Sequence, residues 1–134
     1  MVRFAIGAGL AIVFCVVVGG CARDDQHAAP QTFTVADLNV SILPACSPVP
    51  VGDSLLNVTL KTSSGDPISD AHISSVATTP MTGITTAPRP GTSLGNGRYI
   101  VVIHAPISGF YNVRLTIQRA GKRDGFVDYS VWPR

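Results

Sequence analysis

The sequence predicts an all-β protein: an immunoglobulin-like antiparallel β-sandwich of about six or seven strands, preceded by an N-terminal signal segment. Three observations predict it. β-branched and aromatic residues alternate with polar ones at period two, clusters of Gly, Pro, Ser, Asn and Asp separate these runs, and no stretch carries the apolar stripe of a helix. A small closed barrel shares this pattern and is the alternative.

Phe33 to Leu43 reads as the first strand, with Phe33, Val35, Val40 and Ile42 as its apolar residues. Pro44, Pro48 and Pro50 break the chain after it, because each removes a donor from any ladder. Leu55 to Leu60 is the second run, closed by the turn Ser63-Ser64-Gly65-Asp66-Pro67, and Ala71, Ile73 and Val76 mark a third. Thr78 to Gly97 is rich in Thr, Pro and Gly and reads as loop, with at most one short edge strand around Gly83 to Thr86. Gly95-Asn96-Gly97 is a turn before the strand Tyr99 to Ile103. After Pro106 to Gly109 comes the strand Phe110 to Gln118, which places Tyr111, Val113, Leu115 and Ile117 on one face. The polar turn Ala120 to Gly125 leads to Phe126 to Trp132, where Val127, Tyr129 and Val131 form the face assigned to the core.

The N-terminus reads as an address rather than as part of the fold. Arg3 precedes an uncharged apolar run from Phe4 to Val18, followed by small residues. That run of about fifteen residues covers roughly 22 Å as a helix, short of a hydrocarbon core of roughly 30 Å, which favours a cleaved signal over a membrane span. Val18-Gly19-Gly20-Cys21 looks like a bacterial lipobox, in which Cys21 takes a diacylglycerol before cleavage. The chain then divides into a signal peptide (1–20), a flexible tether (21–31) and one sandwich domain (32–134). The lipid, a palmitate-type anchor on Cys21, makes the membrane a partner and leaves the domain on the outer or periplasmic side. Ala22 is not the aspartate of an inner-membrane retention signal, which favours the outer membrane in a Gram-negative host. Cys15 leaves with the signal and Cys21 becomes a thioether, so Cys46 is expected as the only remaining thiol. Without lipidation, a Cys21–Cys46 bridge is open in an oxidising compartment.

Charge argues against several functions. The ten Lys and Arg nearly balance eight acidic residues, all of them aspartate, for a net charge of +2. This does not suggest a nucleic-acid or acidic partner. No serine sits in a G-x-S-x-G elbow and no glutamate is present to act as a base, so catalysis is not expected. Lys122-Arg123 reads as a solvated hairpin tip.

Several strings together resemble a known family. Gly65-Asp66-Pro67-Ile68-Ser69-Asp70-Ala71-His72-Ile73 is followed by Gly97-Arg98-Tyr99 and then by Ser108-Gly109-Phe110-Tyr111-Asn112-Val113. Their order resembles the YtkA-like, or FixH-like, domain of exported and membrane-anchored bacterial proteins, over residues 51 to 132. Immunoglobulin-like modules of other surface proteins share the first string. The resemblance implies a non-catalytic accessory to copper or heavy-metal handling or to oxidase assembly, with an envelope protein as partner. The family often carries a Met- and His-bearing segment between its two halves. Here Thr79-Pro80-Met81-Thr82-Gly83 keeps one methionine and no histidine, a departure from that pattern.

Copper(I) prefers thiolate and thioether ligands and accepts imidazole. The candidates are Cys46, Met81, His72, His104 and His27, and none forms a short ligand pair in sequence, so the fold would have to assemble any site. His72 and His104 fall on separate strands that the sandwich can bring close. The plainer reading makes Cys46 a small buried hydrophobe, Met81 a loop residue packed on the core, and both histidines solvated strand residues. The alternative function is then a metal-free protein-interaction or structural module of the envelope.

Overall fold

The computed structural model describes residues 30–46 and 49–134. The signal peptide, Cys21, His27 and most of the tether lie outside the described residues. Every element among those described is a strand: β1 (Gln31–Val35), β2 (Leu38–Pro44), β3 (Gly52–Thr62), β4 (His72–Thr79), β5 (Ile84–Thr85), β6 (Arg89–Pro90), β7 (Thr92–Gly95), β8 (Arg98–Ala105), β9 (Tyr111–Gln118) and β10 (Gly125–Val131). They form two separate antiparallel sheets, β1-β2-β3-β8-β7 and β10-β9-β4-β5, with β6 also paired to β4. The architecture is therefore the sandwich and not the barrel.

Alternation builds the core as the sequence predicts. Tyr111, Val113, Leu115 and Ile117 of β9 are buried, as are Val127, Tyr129 and Val131 of β10, and they face Val40, Leu60, Val101 and their neighbours from the first sheet. Three expectations need correction. The single strand from Phe33 to Leu43 is two strands folded at Ala36-Asp37, with Ala36 at φ 53°. The apolar positions change phase here, from 33 and 35 to 38, 40 and 42, but Ala36-Asp37 carries no Gly or Asn to mark the turn. Val76 faces outward, and Ser75 takes the buried position beside Ile73 and Ala77. The loop from Thr78 to Gly97 holds β6 and β7 as well as the expected β5; their Pro, Gly and Ser content masks them because they pair at sheet edges.

One connection fixes how the sheets stack. The segment between β3 and β4 crosses from one sheet to the other, and the Tyr99 hydroxyl holds it. That hydroxyl donates to the Ile68 carbonyl at 2.8 Å and accepts from the Ala71 amide at 3.1 Å. The Ile68 amide in turn donates to the Leu60 carbonyl, and the Leu60 amide to the Gly97 carbonyl. Chain approach here is so close that a Cβ on Gly97, at φ 74°, would collide with the Leu60 carbonyl oxygen. A second link, from Ser75 Oγ to the Val102 carbonyl at 3.0 Å, joins the sheets near their middle.

The sandwich has two distinct ends. At one lie the β2–β3 loop, the turn after β4, the β8–β9 loop and residues 132–134. There the Arg134 amide donates to the Val49 carbonyl and the Gly109 amide to the Pro133 carbonyl. β1 starts at this end too, since Gln31 pairs with Ile42 near the end of β2. At the other end lie Ala36-Asp37, the β3–β4 connection, Asn96-Gly97 and the β9–β10 turn.

Replacing Tyr99 with Phe strands a buried amide and a buried carbonyl, each costing about 1–3 kcal/mol when unpaired. Urea unfolding should show Tyr99→Phe destabilised by about that amount. Gly97→Ala should lose at least about 1 kcal/mol from its positive φ alone, before the steric clash is added.

Candidate functional site

The candidate ligands do not converge. His104 lies on the outer face of β8, opposite Asp53 of β3, and its Nδ1 is 2.6 Å from the Asp53 carboxylate. His72 opens β4, opposite Gln118 of β9, and is exposed on the outer face of the other sheet. β4 and β8 do pack against each other, as the sequence suggested, yet pleating turns the two imidazoles to opposite outer surfaces. Met81 sits beyond the far end of β4 with 80% of its surface exposed. The length of β4, about 25 Å at 3.3 Å per residue, separates it from His72. The expectation that Met81 plugs the core is thereby corrected: its turn projects into solvent.

Cys46 follows β2 at the end of the sandwich where the chain enters. It is half-buried, and its sulfur is in a disulfide. That corrects the expected lone thiol. The chain has three cysteines, so an intrachain partner is Cys15 or Cys21, both outside the described residues. A disulfide sulfur is not a thiolate, and among the described residues no three His, Cys, Asp or Glu side chains are grouped to hold a metal. The described donors therefore do not fit the copper centre that the family resemblance implies.

The outer faces carry other arrangements that periodicity alone could not assemble. Arg114 of β9 and Asp128 of β10 are register partners and pair through two bonds of 2.8 and 3.1 Å. The same guanidinium lies 5.9 Å from the centre of the exposed Phe126 ring. Arg119 reaches Asp37, 82 positions away in sequence, and ties the β9–β10 turn to the β1–β2 turn. On the other sheet, Thr32, Asn39, Ser41, Thr59 and Lys61 line a shallow hollow of about 310 Å³. The buried hydroxyls have structural partners: Ser54 bonds the Pro50 carbonyl and Ser75 the Val102 carbonyl. At the end of β10, Trp132 is 58% exposed and meets Phe110 with ring centres 6.1 Å apart. The sequence shows the uncharged loops around this pair, but only the topology brings them to one end. Among the described residues no helix is long and apolar enough to cross a membrane.

No family model and no curated protein matches the chain. Solved structures do match its fold. The filamin domain of Lin-41 superposes with a TM-score of 0.53 at 18% identity, covering 71% of this chain and 91% of that one. A DUF4426 family protein from Pseudomonas aeruginosa gives the same score and identity, covering 78% of this chain and 98% of that one. At such identity the likeness is one of fold, and it places the chain in the class of immunoglobulin-like β-sandwiches.

Two carboxyls are set for acid sensitivity. The hydrogen bond from Arg114 holds Asp128 below the ordinary 3.8, and that from Arg119 does the same for Asp37. A carboxyl depressed in the folded state adds stability above its unfolded pKa and loses it as pH falls through the lower folded value. The urea midpoint should therefore drop as pH falls through and below 3.8, and an Asp37→Asn/Asp128→Asn variant should show a shallower drop. Chemical denaturation at a series of pH values measures it.

Proposed function

We propose that this protein is a non-catalytic binding module of a bacterial cell envelope, held to a membrane through Cys21 and presenting its immunoglobulin-like sandwich outward. The observation that carries the reading is the string Val18-Gly19-Gly20-Cys21 after an uncharged apolar run, a short tether away from the sandwich. Lipidation and a Cys21 disulfide exclude each other, because one sulfur cannot be both thioether and disulfide. The Cys46 sulfur is in a disulfide, so the lipid-bearing form requires a partner for Cys46 other than Cys21.

Within this reading, the resemblance to the YtkA-like and FixH-like domains supports an accessory role beside metal handling or oxidase assembly. The separation of His72, His104 and Met81, together with the oxidised Cys46, favours the metal-free alternative: a module that engages an envelope protein.

Two measurements test these statements. The intact mass of the mature chain should begin at Cys21 and include a diacylglyceryl group, with Cys46 labelled by maleimide only after reduction. An unmodified mass, with Cys21 and Cys46 both labelled only after reduction, would replace the lipid anchor with a bridge between them. A Cu(I) competition titration should find no stoichiometric site; binding that a Cys46→Ala/Met81→Ala variant loses would restore the copper reading.

A further inference from the structure

The two ends of the sandwich differ sharply in charge, and the anchored segment joins at the apolar one. At the far end the turns carry Asp37, Asp66, Asp70, Lys122, Arg123 and Asp124. At the near end the segments 45–51, 80–83 and 106–110 carry no charged residue at all. Among the described residues, the charges beside these segments are Arg134 and Asp53, the latter bonded to His104. Instead this end exposes large apolar side chains: Val51 at 42%, Met81 at 80%, Ile107 at 43% and Trp132 at 58%. Burial of these side chains would be favourable, and solvent-facing apolar residues gathered on one surface mark a contact site.

Topology says what lies opposite that surface. Gln31 enters β1 beside Ile42, so residues 1–30 reach the domain at this same end. Nine residues lie between Cys21 and Gln31, and the ten steps of a fully extended chain span at most about 36 Å. Whatever holds Cys21 therefore keeps Gln31, and with it the end of the sandwich at which it enters, close by. The bilayer interface suits the Val51, Ile107 and Trp132 loops, since indole rings favour the headgroup region and uncharged apolar tips insert beside it without desolvating a charge.

We infer that the end formed by Val51, Met81, Ile107 and Trp132 is a lipid-docking surface, which lays the domain against the membrane that anchors it. This rests on the membrane-anchor reading above. In the docked state the charged turns and the β9–β10 hairpin tip point away from the bilayer.

Trp132 is the single tryptophan of the chain and lies in the docking surface, so it reports the contact directly. The full lipidated chain is reconstituted into phosphatidylcholine/phosphatidylglycerol vesicles, with and without lipids brominated on the upper acyl chain. Sedimentation reads the anchor and Trp132 emission reads the docking. The expected result is a chain that pellets with the vesicles, with blue-shifted emission quenched by brominated lipid and protected from aqueous acrylamide. Val51→Asp/Ile107→Asp should still pellet but lose the bromine quenching, while Leu94→Asp at the far end should keep it. A chain that pellets with Trp132 open to acrylamide and untouched by brominated lipid overturns the docking but keeps the anchor. Shielding without bromine quenching, accompanied by crosslinked pairs, overturns it in favour of contact between copies. A chain that stays in the supernatant overturns both readings.

Discussion

The Tyr99 hydroxyl sits where the chain passes from one sheet to the other, and the stacking of the sandwich depends on it. An immunoglobulin-like fold must cross between sheets without leaving amides and carbonyls unpaired in the interior. Here one phenol satisfies a donor and an acceptor three residues apart, while the bare backbone of Gly97 lets Leu60 come near enough to complete the set. Burial raises the pKa of Tyr99 above its ordinary value, so the hydroxyl keeps its proton and remains a donor to Ile68. With the crossing fixed, β3 and β4 are placed in opposite sheets. Every other strand then follows by antiparallel pairing to one of them or to a neighbour.

Much of this was legible in the sequence, and the legible part is the part that local alternation controls. β9 and β10 read correctly down to the side chain because their apolar residues recur at period two without interruption. β1 and β2 read as one strand because Ala36-Asp37 lacks the Gly or Asn that usually marks a positive φ. β6 and β7 were hidden by Pro90 and Gly95, residues that fit a sheet edge but contradict the look of a central strand. Ser75 went unread as a core residue because its burial depends on one carbonyl, that of Val102, in the opposite sheet.

The candidate site was legible in composition and not in geometry. Histidine, methionine and cysteine can be counted in a sequence, but whether pleating aims two imidazoles at one point or at opposite surfaces is settled by register. His72 and His104 occupy neighbouring strands across the core and still face away from each other. The pairs that do form, Arg114 with Asp128 and Arg119 with Asp37, join residues that sequence spacing gave no reason to connect. The gathering of uncharged loops at one end is likewise a property of topology, since those loops are scattered along the chain.

The meeting of β1 with β10 sets the order in which the domain can be finished. These outermost strands of the described chain lie side by side along one flank, where Val35 packs so near Gly125 that a methyl there would press on its Cγ1 at 3.1 Å. Until β10 is made, that flank remains open, with the edge backbone of β9 unpaired and Val35 of β1 uncovered. A chain emerging from a ribosome can therefore pair its first strand with β2 early, yet leaves that flank uncovered until its last strand has followed. A holding chaperone that caps this flank in the interval would stand where β10 later docks, and completion of the final strand would itself displace it.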